Sequence, residues 1–420
     1  MERLATGFTA GLECAPFFPN ISGAGTMSRT FNVRTFNNIA ERGLARFPAD
    51  RFNVGGKVES PDAVLLRSHK LAGADLPATV QAVARAGAGV NNVPVEHCTE
   101  RGVVVFNTPG ANANSVKELV LTAMLLASRD IFGGIQFVGT LGGISDEAEL
   151  DRIVEAEKKR FAGRELVGKA LGVVGLGAIG SLVARAALDL GMEVLGFDPA
   201  ISVDAAWRLP SEVQRMQNLQ SLFARADYVT LHVPLMAETR GMINAESLNA
   251  FRPGSVLLNF AREPIVDGVA LKAALESGRI SKYVADFPIA GLIGHPKVLL
   301  TPHLGASTEE AEENCAIMAA NQLVNFLETG SIANSVNFPS VSLEMSTGIR
   351  LAVVNRNVPG MLGQMTTLLA DKKINVIDML NKSRGDIAYN LIDLAAAPDA
   401  GLLDAIRAVD NVVSVRIIGA

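Results

Sequence analysis

Residues 172–180 read GVVGLGAIG, and few folds accept that run. An apolar, strand-like stretch at 171–174 leads into it, and a helical pattern over 178–190 leads out. Gly175, Gly177 and Gly180 therefore sit in a tight strand-to-helix turn. The first glycine permits the turn, the second lets a pyrophosphate approach the backbone, and the third lets the helix pack on the sheet. The free N–H groups at the helix start favour phosphate. A second strand pattern, 193–197, ends at Asp198. A carboxylate there accepts hydrogen bonds from both ribose hydroxyls and repels a 2′-phosphate, which favours NAD over NADP. Taken alone, the turn is also compatible with an adenosyl ligand or with no ligand.

Around this turn the chain alternates short apolar runs with helical stretches, the signature of parallel α/β sheets. Strands are expected at 63–66, 102–106, 228–232, 255–259, 283–286 and 298–300, and helices at 77–86, 115–129 and 311–327. The charged stretch 144–165 reads as a solvated helix between two units, and GSIANSVNFPS, residues 330–340, as a linker. Beyond it, 349–420 follows the order strand, helix, strand, strand, helix, strand, a ferredoxin-like βαββαβ unit.

The formal net charge of -5 excludes a general basic field for nucleic acid or an anionic membrane, so an anionic substrate needs a local cluster of Arg or Lys. Cys14, Cys98 and Cys315 are odd in number and far apart, as expected of reduced thiols in a cytoplasmic protein with no metal site. No apolar stretch approaches the roughly 20 residues of a membrane span. Residues 1–26 carry no secretory pattern and read as a disordered extension ahead of Met27, or as a misplaced start.

Several further motifs accompany the glycine turn. They are RAGAGVNNV (85–93), VVFNTPGANANSVKEL (104–119), HVPL (232–235), NFAREPIVD (259–267) and TPHLGAST (301–308). Together they resemble the D-2-hydroxyacid dehydrogenase family, from about residue 30 to 330. The tail, with NRNVPGMLG (355–363) and KKINVIDM (372–379), resembles an ACT domain. The resemblance implies two Rossmann-like, doubly wound domains and a C-terminal ACT unit. The substrate domain is discontinuous, 27–126 and 304–335, with the NAD domain, 127–303, inserted, and the ACT domain spans 345–420. The implied activity is NAD-dependent oxidation of a small D-2-hydroxy acid. The pairing with an ACT domain implies 3-phosphoglycerate as substrate, at the first step of L-serine synthesis, in a homodimer or homotetramer. Another D-2-hydroxy acid, or a non-catalytic NAD- or amino-acid-binding regulator, stays open.

Oxidation at C2 needs a cation for the carboxylate and a base for the hydroxyl proton. The resemblance makes Arg262 the cation, whose planar fork suits a carboxylate. It makes His303 the acid and base, a role suited to an imidazole, which can both accept and donate a proton. His69, His97 and His295 have weaker claims, and His232 belongs to a segment near the cofactor. Asp286 matches the nicotinamide-binding Asp. Phe260, Ala261, Val233 and Pro234 line the cofactor, and Ala178 and Ile179 present N–H groups to its pyrophosphate. Arg67, Ser68 and Asn112 are implied at the substrate, with Lys70 and Arg129 as further phosphate candidates. Asn357 and Asn375 are implied to hold an L-serine effector across a subunit interface, although Asn355 replaces a His of serine-sensing relatives. A second departure concerns the Glu that orients the catalytic His in the family. Its slot holds Gly291, which leaves Glu309 or Glu310 as substitutes. Glu263 also stands where the family often has Gly.

Overall fold

The computed structural model describes residues 29–345 and 349–419. The expected N-terminal extension, 1–26, lies outside the described residues.

The first sheet holds β1 (Phe31–Phe36), β2 (Phe52–Gly55), β3 (Ala63–Leu66), β4 (Ala82–Arg85) and β5 (Val104–Phe106). All of its pairings are parallel, in the order β2-β1-β3-β4-β5. β3 and β5 are buried throughout, as strands covered on both faces must be.

The second sheet holds β6 (Ala170–Val174), β7 (Glu193–Phe197), β8 (Gln214–Arg215), β9 (Tyr228–Leu231), β10 (Ser255–Asn259), β11 (Ile280–Ala285) and β12 (Val298–Leu300). Its order is β12-β11-β10-β9-β6-β7-β8, again parallel, the doubly wound arrangement that reverses direction between β6 and β9. Ligands of such sheets lie beyond the carboxyl ends of the strands at that reversal.

The third sheet, β13 (Arg350–Arg356), β14 (Val376–Arg384), β15 (Ile387–Leu394) and β16 (Val412–Ile418), is antiparallel in the order β14-β15-β13-β16. The helices Met361–Asp371 and Ala400–Arg407 cover one face, against Leu351, Val353 and Ile392. The other face is not solvated. Ala352, Val354, Tyr389 and Leu391 join the core of the first sheet and pack with Phe326 and Leu327 of the helix Glu309–Thr329. Arg350, fully buried, forms a two-bonded ion pair with Asp393 at 2.5 and 2.9 Å. The same guanidinium donates to the carbonyls of Thr329, Leu343 and Glu344, so its charge is paired and its donors are used.

The helix Glu309–Thr329 carries its own boundaries. Thr308 accepts from the Ala311 N–H at the start, three glutamates occupy the first turn, and Gly330 ends it at φ 74°.

Two expectations need correction. Residues 77–86 do not form a helix; 82–85 are β4, buried between β3 and β5. The small side chains of Ala82 and Ala84 suit a helix locally, but two neighbouring strands supply the hydrogen bonds of a sheet. Residues 330–340 are not a free linker. Ile332 bridges to Val341, Ser335 bridges to Phe106, and Phe338 is fully buried. Asn337 accepts from the Val105 N–H and donates to the Val103 carbonyl. Its amide thus satisfies the open edge of β5, which a buried sheet edge requires.

Candidate active site

The residues just past the strand ends build the candidate site. Gly175 comes directly after β6, His232 after β9, Phe260 to Arg262 after β10, Asp286 and Phe287 after β11, and Thr301 to His303 after β12. In the first sheet, Arg67 and Ser68 come directly after β3, Arg85 ends β4, and Asn112 lies in the turn beyond β5. Both sheets therefore point their carboxyl ends into one cleft of about 700 Å³, lined by Gly177, Arg67, Arg85, Arg262 and His303 among others. Parallel strands order this convergence, since every crossover returns the chain to the same edge.

The glycine turn fits a dinucleotide. Gly175 holds φ 91°, and a Cβ there would stand 2.7 Å from the His232 carbonyl. A Cβ on Gly180 would stand 1.9 Å from the Gly175 carbonyl, so no side chain is tolerated at that crossing. A Cβ on Gly177 would meet nothing within 4 Å, which leaves its face open for a ligand. Ala178, Ile179 and Phe260 share the cleft wall. Ala261, Val233 and Pro234 stand behind it: Ala261 accepts from Arg262 Nη1, Val233 packs near Gly175, and the Pro234 carbonyl accepts from Thr239. Asp198 lies at the end of β7, where its carboxylate accepts from the N–H groups of Leu176 and Ala200. His232 lines the cleft with Nε2 bonded to Thr230 and Nδ1 buried without a partner, an unmet polar atom that a cofactor group can satisfy. Burial pushes its imidazole down to about 3, so this ring is neutral.

Arg262 and His303 come together through Phe287. The guanidinium lies 5.9 Å from the Phe287 ring centre, and the His303 ring lies 4.7 Å from it. His303 holds a left-handed φ of 59°, unusual outside glycine. Asp286 fixes that turn. Its carbonyl accepts from the His303 N–H, and its buried carboxylate accepts from Thr301 Oγ1, Leu304 N–H and Gly305 N–H at 2.6–2.7 Å. Asp286 also faces the cleft, so one residue both holds the His303 loop and reaches the space beside it.

On the opposite wall, Arg67 forms an ion pair with Glu312 at 2.6 Å. Arg85 lies over Gly87 and donates to the Arg67 carbonyl. Burial lowers its pKa first, and repulsion from Arg67 and Arg262 lowers it further. Three guanidiniums thus converge, partly offset by Glu312. Ser68, Lys70 and Asn112 complete this wall.

Arg85, Phe287 and Glu312 were not assigned from sequence. The helix expected over 77–86 concealed that Arg85 ends a strand, where cleft residues concentrate. Arg129 does not join the cleft; it lines a separate cavity with Asp130 and Lys169. Glu309 and Glu310, the expected substitutes for the missing Glu, occupy the first helical turn outside the cleft wall, and Glu312 is the helix carboxylate that lines it. A side chain on Gly291 would meet nothing within 4 Å. Asn357 and Asn375 are not brought together within one chain. Asn357 bonds Gly385, at the far end of β14, whereas Asn375 precedes its start, about 30 Å away along a strand of that length. Asn355 bonds Asn390 inside the third sheet. His69 stacks on Phe36, His97 lies on a short helix beside Gly73, and His295 accepts from the Lys297 N–H.

A dinucleotide turn beside an arginine–histidine pair, with further arginines on the facing wall of a two-sheet cleft, is the arrangement that an NAD-dependent dehydrogenase of 2-hydroxy acids requires. The family model for the NAD-binding domain of D-isomer specific 2-hydroxyacid dehydrogenases matches residues 137–305. The chain belongs to this family. It is 33% identical to the D-3-phosphoglycerate dehydrogenase of Methanocaldococcus jannaschii over 80% of this chain and 62% of that protein. It is 32% identical to the D-3-phosphoglycerate dehydrogenase of Escherichia coli K12 over 79% of each. The crystal structure of NAD+-bound 3-phosphoglycerate dehydrogenase from Entamoeba histolytica superposes with a TM-score of 0.55 at 25% identity, over 73% of this chain and 99% of that one. The chain thus spans under two thirds of the Methanocaldococcus relative's length.

Proposed function

We propose that this protein oxidises 3-phospho-D-glycerate to 3-phosphohydroxypyruvate with NAD, the opening step of L-serine synthesis. The observation that carries the proposal is one cleft holding Gly177, Arg262 and His303 on one side and Arg67 and Arg85 on the other. NAD, when bound, supplies the hydride acceptor at C2. Arg262 holds the substrate carboxylate and polarises the C2 oxygen. His303 takes the C2 hydroxyl proton in oxidation and returns it in reduction. Asp286 keeps that imidazole on its turn and meets the nicotinamide amide. Arg67, Arg85 and Ser68 receive the phosphate, whose charge offsets the convergence of guanidiniums. The domain limits 27–126 with 304–335, 127–303 and 345–420 belong to the same proposal.

Further proposals concern assembly and control. The helix Ile131–Gly139 leaves Phe132, Ile135 and Val138 more than half exposed on an uncharged segment, a face that a second copy covers in a homodimer or homotetramer. The C-terminal unit acts as an ACT domain, and L-serine bridges Asn357 of one copy to Asn375 of another. Among the described residues no helix is long and apolar enough to cross a membrane, and a cytoplasmic location is proposed.

The test is NADH oxidation at 340 nm with 3-phosphohydroxypyruvate. Turnover supports the proposal. Turnover only with unphosphorylated 2-oxo acids assigns a sister dehydrogenase. NADH binding without any turnover assigns a non-catalytic regulator, the alternative favoured by Gly291 at the slot of the His-orienting acid.

A further inference from the structure

The third sheet does not seal against the first. Between them lies a cavity of about 480 Å³, within the range of small-molecule sites. Its wall carries four arginines, Arg29 and Arg101 from the first domain and Arg407 and Arg416 from the C-terminal unit, and among the described residues no carboxylate lines it. Arg29 and Arg407 are paired with Asp62 and Asp404. Arg101 and Arg416 donate to neutral oxygens: Arg101 to the carbonyls of Leu76 and Pro77, Arg416 to Gln81 Oε1 and the Phe326 carbonyl. The Arg416 guanidinium also lies 4.0 Å from the Phe326 ring centre. Four cations thus face one open cavity with two carboxylates outside its wall, in a chain whose net charge is -5.

We infer that this cavity is a binding site for a small polyanion, a molecule with clustered phosphate or carboxylate oxygens, distinct from the active cleft. Each guanidinium keeps N–H donors beyond those already used, and forked donors suit oxyanions. A ligand there joins the C-terminal unit to the first sheet. The position gives it a route to the cleft. Gln81 lies at the entrance of β4, whose other end is Arg85. Phe326 lies near the end of the helix Glu309–Thr329, whose first turns bring Glu312 and Cys315 into the cleft. Cavity and cleft therefore occupy opposite ends of one strand and one helix.

The test uses the full chain, with pyrophosphate as the probe, by calorimetric titration and by hydrogen exchange. Because the cleft also holds cations, Arg85→Gln serves as the control that weakens binding there. Pyrophosphate is expected to bind Arg85→Gln and to protect residues 77–81 and β16 from exchange. The double variant Arg101→Gln/Arg407→Gln is expected to lose about tenfold or more in affinity for this site. Arg407→Gln alone alters an exposed pair and preserves the fold; it is expected to lose roughly threefold. Unchanged affinity in both cavity variants, protection confined to the cleft, or loss of all binding in Arg85→Gln overturns the inference.

Discussion

Replacing Arg85 with Gln separates the phosphate from the rest of the substrate. Arg85 is held by one hydrogen bond to the Arg67 carbonyl and is surrounded by burial and by two like charges. A guanidinium on a phosphate contributes about 1.5–3 kcal/mol as a charge-assisted hydrogen bond. At about 1.4 kcal/mol per decade, kcat/KM for 3-phosphohydroxypyruvate falls roughly 10- to 150-fold. Hydroxypyruvate lacks the phosphate, so its kcat/KM changes less than about threefold. Stability behaves differently. The lost hydrogen bond costs about 1 kcal/mol, and removing a buried, repelled cation returns a similar amount. The apo Tm therefore shifts by no more than about 4 °C. Steady-state kinetics with both substrates and a thermal melt read all three quantities. Equal losses on the two substrates would refute the phosphate role, and a large drop in Tm would show Arg85 to be structural.

Glu312→Gln frees Arg67 from an ion pair that is partly exposed and worth about 0–1 kcal/mol, so KM for the phosphorylated substrate falls up to about fivefold; a higher KM contradicts the competition. Asp286→Asn places an amide NH2 against N–H and O–H donors. It destabilises the protein by about 2–4 kcal/mol in urea unfolding and lowers kcat, and unchanged stability would show that the carboxylate does not hold the His303 loop. Arg350→Met strips the buried Asp393 of its cation at a cost of about 3–5 kcal/mol, measured by the same unfolding; a neutral result removes the anchor between the third sheet and the Glu309–Thr329 helix. Acid unfolding tests His232. Its pKa drops from 6.5 to about 3 on folding, so its contribution is complete above about pH 6.5 and is lost as pH falls toward 3. Between pH 7 and 5 the wild type loses at most about 2 kcal/mol through this group, and His232→Gln should lose correspondingly less.

Local chemistry made the cofactor turn legible. Gly175, Gly177 and Gly180 are constrained by backbone approach over a few residues, and the strand before them announces itself by its apolar run. The βαββαβ order of the tail was legible for the same reason: each element carries its own period. Arg262 and His303 became candidates only through their family motifs, because nothing local shows that residues some forty positions apart share a wall.

Where a dinucleotide turn stands, that strands run parallel around it, and which units the chain contains are all written into local residue patterns. That Arg85 faces the cleft, that Asn337 closes the β5 edge, and that the third sheet rests on the first emerge only when the chain is packed. Those outcomes depend on neighbours far along the chain. A short strand of Ala and Val is stabilised by the strands on each side, and a polar loop becomes ordered when a buried sheet edge needs its amides.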